Sequence, residues 1–163
     1  MKDQYEQCWL SDIHNDARRD QNQKNKLRLY RQFKKSFCME DYLTMGLSVI
    51  DRVHLTRFRI SNHKLLIELG RYRGIPAADR LCVNCNAVDD EIHFLLGCHQ
   101  LEPLRQIFFR KTNIKLNHNL PILLNFLKIM GSHSSKLTIY LGRFITKGFK
   151  ERSIDVNFFP RYF

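Results

Sequence analysis

Among the residues of this chain that could do chemistry, the densest grouping is Cys82, Cys85, His93 and Cys98. Written as a spacing it is C-x2-C-x7-H-x4-C, three thiols and one imidazole within seventeen residues. Thiolate and imidazole are the soft donors that zinc takes in closed tetrahedral sites. We read the set as the ligands of one structural Zn2+. His99, next to Cys98, is a possible substitute ligand. A redox C-x-x-C is disfavoured because no βαβ pattern surrounds it. A catalytic zinc needs an open coordination position and a general base, whereas here protein donors fill the shell. Glu91 also precedes His93 by two residues, the reverse of the deaminase arrangement.

The elements that position these ligands are legible around them. The two residues between Cys82 and Cys85 make a tight turn, with Asn84 and Asn86 able to adopt its left-handed positions. Asp89, Asp90 and Glu91 place acids at the start of a helix, where the backbone dipole favours negative charge. Ile92, Leu95 and Leu96 recur at i, i+3, i+4 as its buried stripe, and Gly97 ends it. In an unbroken α-helix residues 93 and 98 lie about 140° apart, too far to face one ion. The expectation is therefore a left-handed Gly97 at C′ that turns Cys98 back toward His93.

The 163 residues are 44% hydrophobic, enough for a real core. No apolar run of transmembrane length and no signal-peptide pattern is present, and an odd number of cysteines, five, points to a reducing compartment. We expect an intracellular protein, nuclear or cytoplasmic, with no membrane and no small-molecule substrate as partner. Cys8 and Cys38 read as ordinary core or surface residues.

The net charge of +11 is uneven: residues 18–80 hold 15 bases against 6 acids, and residues 101–163 hold 11 against 3. Residues 1–17 and 81–100 are each net −3, so bases flank the metal loop on both sides. That distribution implies a polyanion, RNA or DNA. The candidate phosphate contacts are Lys34, Lys35, Arg57, Arg59, Arg71 and Arg73. Three thiolates on Zn2+ leave a site charge near −1, so one of Arg71, Arg73 and Arg80 could instead compensate the metal.

Periodicity gives an all-α fold, a small helical domain organised around the zinc knuckle. Residues 1–37 form an N-terminal helix and basic arm, with Trp9 an anchor and 17–26 an exposed linker. Tyr30, Phe33 and Phe37 either pack inward or stack on bases. Residues 38–152 form the zinc-knuckle domain: 39–45 and 48–60 are helical, the latter interrupted at Ser61-Asn62. Leu101, Leu104, Ile107 and Phe108 mark another helix, and Leu120, Leu123, Leu124 and Leu127 a further one closed by Gly131. The last long helix is capped by Ser134 or Ser135, with Gly142 and Gly148 allowing close packing. Residues 153–163 form an aromatic tail.

The series Lys26-Leu27-Arg28-Leu29-Tyr30, Leu55-Thr56-Arg57-Phe58-Arg59-Ile60-Ser61-Asn62-His63, Ile67-Glu68-Leu69-Gly70-Arg71-Tyr72 and Asp90-Glu91-Ile92-His93-Phe94-Leu95-Leu96 resembles the C-terminal region of reverse transcriptases encoded by LINE-type (non-LTR) retrotransposons. The resemblance covers residues 5–152. It implies that Cys82, Cys85, His93 and Cys98 are a CCHC zinc knuckle engaging template RNA or target DNA, and that a polymerase core belonging to a larger polyprotein is a partner. The adjacent pair Asp89-Asp90 lacks the family's aromatic-x-Asp-Asp strand, and no endonuclease set is evident. The expectation is a non-catalytic nucleic-acid-binding domain. The alternative is a zinc-stabilised protein-interaction module without direct nucleic-acid binding.

Overall fold

The computed structural model describes residues 2–15 and 27–153. The linker 17–26 and the aromatic tail beyond Ser153 lie outside them. Among the described residues there are helices and turns and no strand, only an isolated antiparallel bridge between Leu81 and Val88. The α-helices are α1 Lys2–Asn15, α2 Tyr30–Phe33, α3 Val49–Arg59, α4 Leu66–Tyr72, α5 Glu102–Thr112, α6 Ile122–Met130 and α7 Ser135–Ser153. The expected all-α class is the one observed. Residues 41–43 form a single 3-10 turn in place of the longer helix expected over 39–45.

Local chemistry explains most boundaries. Ser48 accepts the Asp51 N–H at 3.1 Å and donates to its carboxylate at 2.7 Å, a reciprocal cap that starts α3. Ser61 follows α3 with φ +52°, so the Ser61-Asn62 interruption is a left-handed stop. Ser134 caps α7 through the Leu137 N–H. Asn113, with φ +57°, ends α5.

The long α7 is the beam of the fold. α3 lies along it in the same direction, with Leu47 and Asp51 at Gly142, His54 bonded to Thr146 at 3.1 Å, and Phe58 edge-on to Phe149. α5 covers a neighbouring face through Phe108 against Phe144, ring centres 5.6 Å apart. Phe94, from the metal-loop segment, is fully buried at the centre, stacked on Phe149 at 4.8 Å and contacting Phe58 and Phe144. A Cβ on Gly148 would sit 2.7 Å from the Phe94 ring, so a glycine is needed for α7 to approach that closely. Burying an aromatic of this size contributes about 1.5–3 kcal/mol. The metal loop is thus wedged into the core by its own phenylalanine.

The helix expected from Leu120, Leu123, Leu124 and Leu127 and closed by Gly131 is observed as α6; it buries Phe126, Ile129 and Met130, packs half-buried Leu123 and Leu127 against the core and leaves Leu124 41% exposed. Ile122, Leu123, Leu124, Phe126, Leu127, Ile129 and Met130 surround this helix with apolar groups, and periodicity alone cannot choose among its faces. On α3, Leu55 and Phe58 are buried, but Val49 and Val53 face out.

Candidate metal centre

The Cys82 turn is a small hairpin built from backbone bonds. Asn86 N–H and Cys85 N–H both reach back to Cys82 O, at 3.0 and 3.3 Å, and Cys82 N–H donates to Ala87 O at 2.7 Å. Asn86 takes the left-handed conformation with φ +52°. Asp90 then caps the next helical segment by accepting the His93 N–H at 2.8 Å.

From His93 to Gly97 that segment is a π-helical turn, closed by Cys98 N–H donating to His93 O at 2.7 Å. This replaces the expected left-handed Gly97. The extra residue in an i→i+5 ring widens the turn, so residue 98 comes back above residue 93 without a chain reversal. Gly97 has another role: a Cβ there would lie 3.2 Å from His93 Nδ1. Its missing side chain leaves room for the imidazole.

Together these turns bring one donor atom each from Cys82, Cys85, His93 and Cys98 within 4.8 Å of one another. Cys85 Sγ and Cys98 Sγ are 3.9 Å apart. Zinc–thiolate bonds of about 2.3 Å at tetrahedral angles put sulfurs about 3.8 Å apart, so this separation fits a shared ion. His93 Nε2 is buried with no hydrogen-bond partner, the condition of a nitrogen held for a metal. Cys82 and Cys98 are buried at 1% and 0% exposure. His99 is exposed and outside the cluster, contributing only its backbone N–H to Cys85 Sγ at 3.3 Å.

The thiols respond to each other's proximity. The hydrogen bond from Cys98, helped by His93 and Arg152, holds Cys82 down to about 3 against the effect of burial. Cys98, the donor in that pair, is pushed up by the bond to Cys82 and by burial. Their proximity favours loss of a proton from Cys82 ahead of Cys98, and a divalent ion would hold both as thiolates.

Of the arginines nominated for charge compensation, Arg71 pairs with Glu68 at 2.9 Å and Arg80 is committed to backbone carbonyls. Arg80 is buried, its guanidinium bonded to Ile75 O and Ile67 O. Arg152, from the end of α7, takes the role: Nη2 lies 3.8 Å from Cys82 Sγ and Nη1 pairs with Asp89 at 2.7 Å. Asp89 in turn accepts the Leu66 N–H at 2.8 Å, tying the site to α4. Sequence reasoning missed Arg152 because it lies 70 residues from Cys82, and no local signal distinguishes it from Lys147 or Lys150.

A second charged hub adjoins the first. The Glu91 carboxylate, 1% exposed, meets Arg28 at 2.5 Å, the Ser61 hydroxyl at 2.6 Å and His63 Nε2 at 3.1 Å. Burial alone would raise this carboxyl, but His63, Arg28 and Ser61 together hold it below the ordinary value. The three acids read as helix-start charges thus have three separate tasks.

The nominated phosphate contacts divide. Arg59 is built into the core, donating to Met130 O and Glu40 and lying over the rings of Phe33 and Tyr42. Lys34 pairs with Glu40 at 3.3 Å and donates to Cys38 O. Arg71 pairs with Glu68 at 2.9 Å and covers Tyr72. Lys35, Arg57 and Arg73 are exposed. Tyr30 and Phe33 are half-buried, Tyr30 bonded to Glu40, whereas Phe37 is 41% exposed.

No family matches. Comparison with family models, curated proteins and solved structures finds nothing similar to this chain. No described helix is long and apolar enough to cross a membrane.

Proposed function

We propose that the chain is a non-catalytic, zinc-stapled helical domain that binds RNA or DNA mainly through phosphate. The observation that carries it is the convergence of Cys82, Cys85, His93 and Cys98 within 4.8 Å inside a protein of net charge +11. Four protein donors would complete the coordination shell of zinc and leave no position for a substrate or activated water. The ion's contribution is then structural, fixing the hairpin to the segment that carries Phe94. The resemblance to the region downstream of the polymerase in LINE-type retrotransposon proteins supports the same reading and adds a polymerase core as a partner. Asp89 and Asp90 favour no polymerase role, since one pairs with Arg152 and the other caps a backbone N–H.

A second reading has its own observation. Val49, Ile50 and Val53 leave an apolar patch on α3, 74%, 62% and 41% exposed, which suits a protein-interaction module. Native mass spectrometry with and without chelator tests the metal, with one zinc ion per chain expected. A salt titration of binding to structured RNA and duplex DNA separates the two readings. Steep weakening with salt supports phosphate contact, and failure to bind either nucleic acid at low salt overturns it.

A further inference from the structure

The bases that remain outside internal ion pairs are most ordered on α7. Lys136, Arg143, Lys147 and Lys150 occupy positions i, i+7, i+11 and i+14 of that helix, with Tyr140 at i+4. At 3.6 residues per turn these five fall within an arc of about 80°. The arc lies opposite the face formed by Leu141, Phe144, Ile145 and Gly148, all buried. The four cations are exposed and enter no ion pair among the described residues. Arg143 lies over the Tyr140 ring, 5.4 Å from its centre, which restrains its guanidinium on the stripe. Glu151, the single acid of α7, flanks the C-terminal end.

We infer that this outer face of α7 is the surface that receives the nucleic-acid backbone, one phosphate for each of the four cations. The inference rests on the proposed nucleic-acid reading and changes its residues, since Lys34, Arg59 and Arg71 already have partners within the fold. The stripe runs about 21 Å along the helix axis at 1.5 Å per residue. The helix is continuous, and its cations stand 7, 4 and 3 residues apart, intervals that long lysine and arginine side chains can bridge to a polyanion lying alongside. An anionic membrane fits less well: an interfacial helix needs an apolar face to insert, and no described residue of α7 is among the exposed large apolar side chains. The opposite face carries Arg152 to Cys82 and Asp89, so the metal site fixes the C-terminal end of the stripe.

The test uses the full zinc-loaded chain with duplex DNA and an RNA hairpin, each longer than the stripe. Four phosphate contacts give log K against log salt a slope of about −3.6 on duplex DNA, or roughly 150-fold weakening between about 50 and 200 mM salt. Lys147→Gln with Lys150→Gln should reduce the slope by about 1.8, leaving roughly tenfold weakening over the same range. Lys64→Gln with Lys128→Gln removes equal charge from exposed positions outside α7 and should leave the slope near the parent's. Comparing the two probes assigns the contact to DNA, RNA or both. If the parent binds and the two double variants weaken it equally, the stripe is overturned while nucleic-acid binding stands. If the parent binds neither probe at low salt, both fall together, and capture by anionic vesicles in place of nucleic acid would overturn the stripe as well. All four positions are solvent-facing, so an unchanged thermal transition shows that each variant remains folded.

Discussion

The metal cluster and the Glu91 hub are neighbours on one short stretch, Asp89 to His93, yet they are built in opposite ways. The cluster draws its ligands from seventeen consecutive residues, bent together by a hairpin and a π turn. The hub draws Arg28, Ser61 and His63 from segments 63, 30 and 28 residues away from Glu91. Each gathers charge inside the protein, and each compensates it differently. Thiolates here would be neutralised by an ion that arrives from outside, whereas the carboxylate is neutralised by the fold itself. The first could be removed by a chelator. The second fails only when the chain is changed.

The largest expected effect follows from that distinction. Apparent zinc-binding free energies in small structural sites are about 10–16 kcal/mol near neutral pH, more than a domain's whole stability. Chelation, or Cys98→Ser, should therefore abolish the cooperative thermal transition and the near-UV signal of the packed aromatics around Phe94. A chelated protein that still melts cooperatively would mean that the hub and core suffice.

Glu91→Gln should come next. It leaves Arg28 and His63 without their carboxylate in a site where Glu91 is 1% exposed, and breaking a buried pair costs about 3–5 kcal/mol. Because Arg28 keeps 28% of its side chain exposed, the lower end is expected. The pH dependence has a fixed sign. A carboxyl held below its unfolded value contributes stability above the unfolded pKa of about 4.3, lost as pH falls through the lower folded value. The stability gap between parent and Glu91→Gln, from denaturant melts, should thus be full near neutrality and close in acid. A gap that widened on acidification would reverse the assignment.

Arg152→Met tests the cation seen against Cys82. Groups bonded to metal ligands alter affinity by about 10–100-fold, so chelator competition should show zinc held more weakly by that factor, with the helical signal retained. Arg80→Met removes a guanidinium that bonds Ile67 O of α4 and Ile75 O of the loop after it, and should leave zinc affinity unchanged and lower stability instead. Equal zinc affinities in the two variants would remove Arg152 from the site.

What could be read beforehand follows the same divide. The ligand set, the Cys82 turn, the Asn86 conformation, the stop at Ser61 and the cap at Ser134 all depend on neighbours within a few residues, and spacing encodes them. Arg152 and the partners of Glu91 depend on how α3, α7 and the N-terminal arm cross, which no local pattern specifies. Nor does charge alone reveal occupation. Arg57 and Arg59 stand two apart on α3, but one is exposed and the other lies under Phe33 and Tyr42.

The smallest expected effect sharpens the local half of the comparison. If Gly97 were required for a left-handed turn, any L side chain would strain the backbone and the loop would fail. Its φ lies outside the positive range, and the obstacle to a side chain is the His93 ring 3.2 Å from the added Cβ. Gly97→Ala should therefore keep the fold and push the imidazole a few tenths of an ångström from its ligand position. Holding a side chain off its preferred rotamer costs about 0.5–1.5 kcal/mol, which corresponds to a two- to roughly tenfold loss of zinc affinity. Wholesale unfolding of Gly97→Ala with zinc in excess would return the turn to a left-handed glycine, whereas a modest affinity loss identifies the widened π turn as the device that sets His93 beside Cys98.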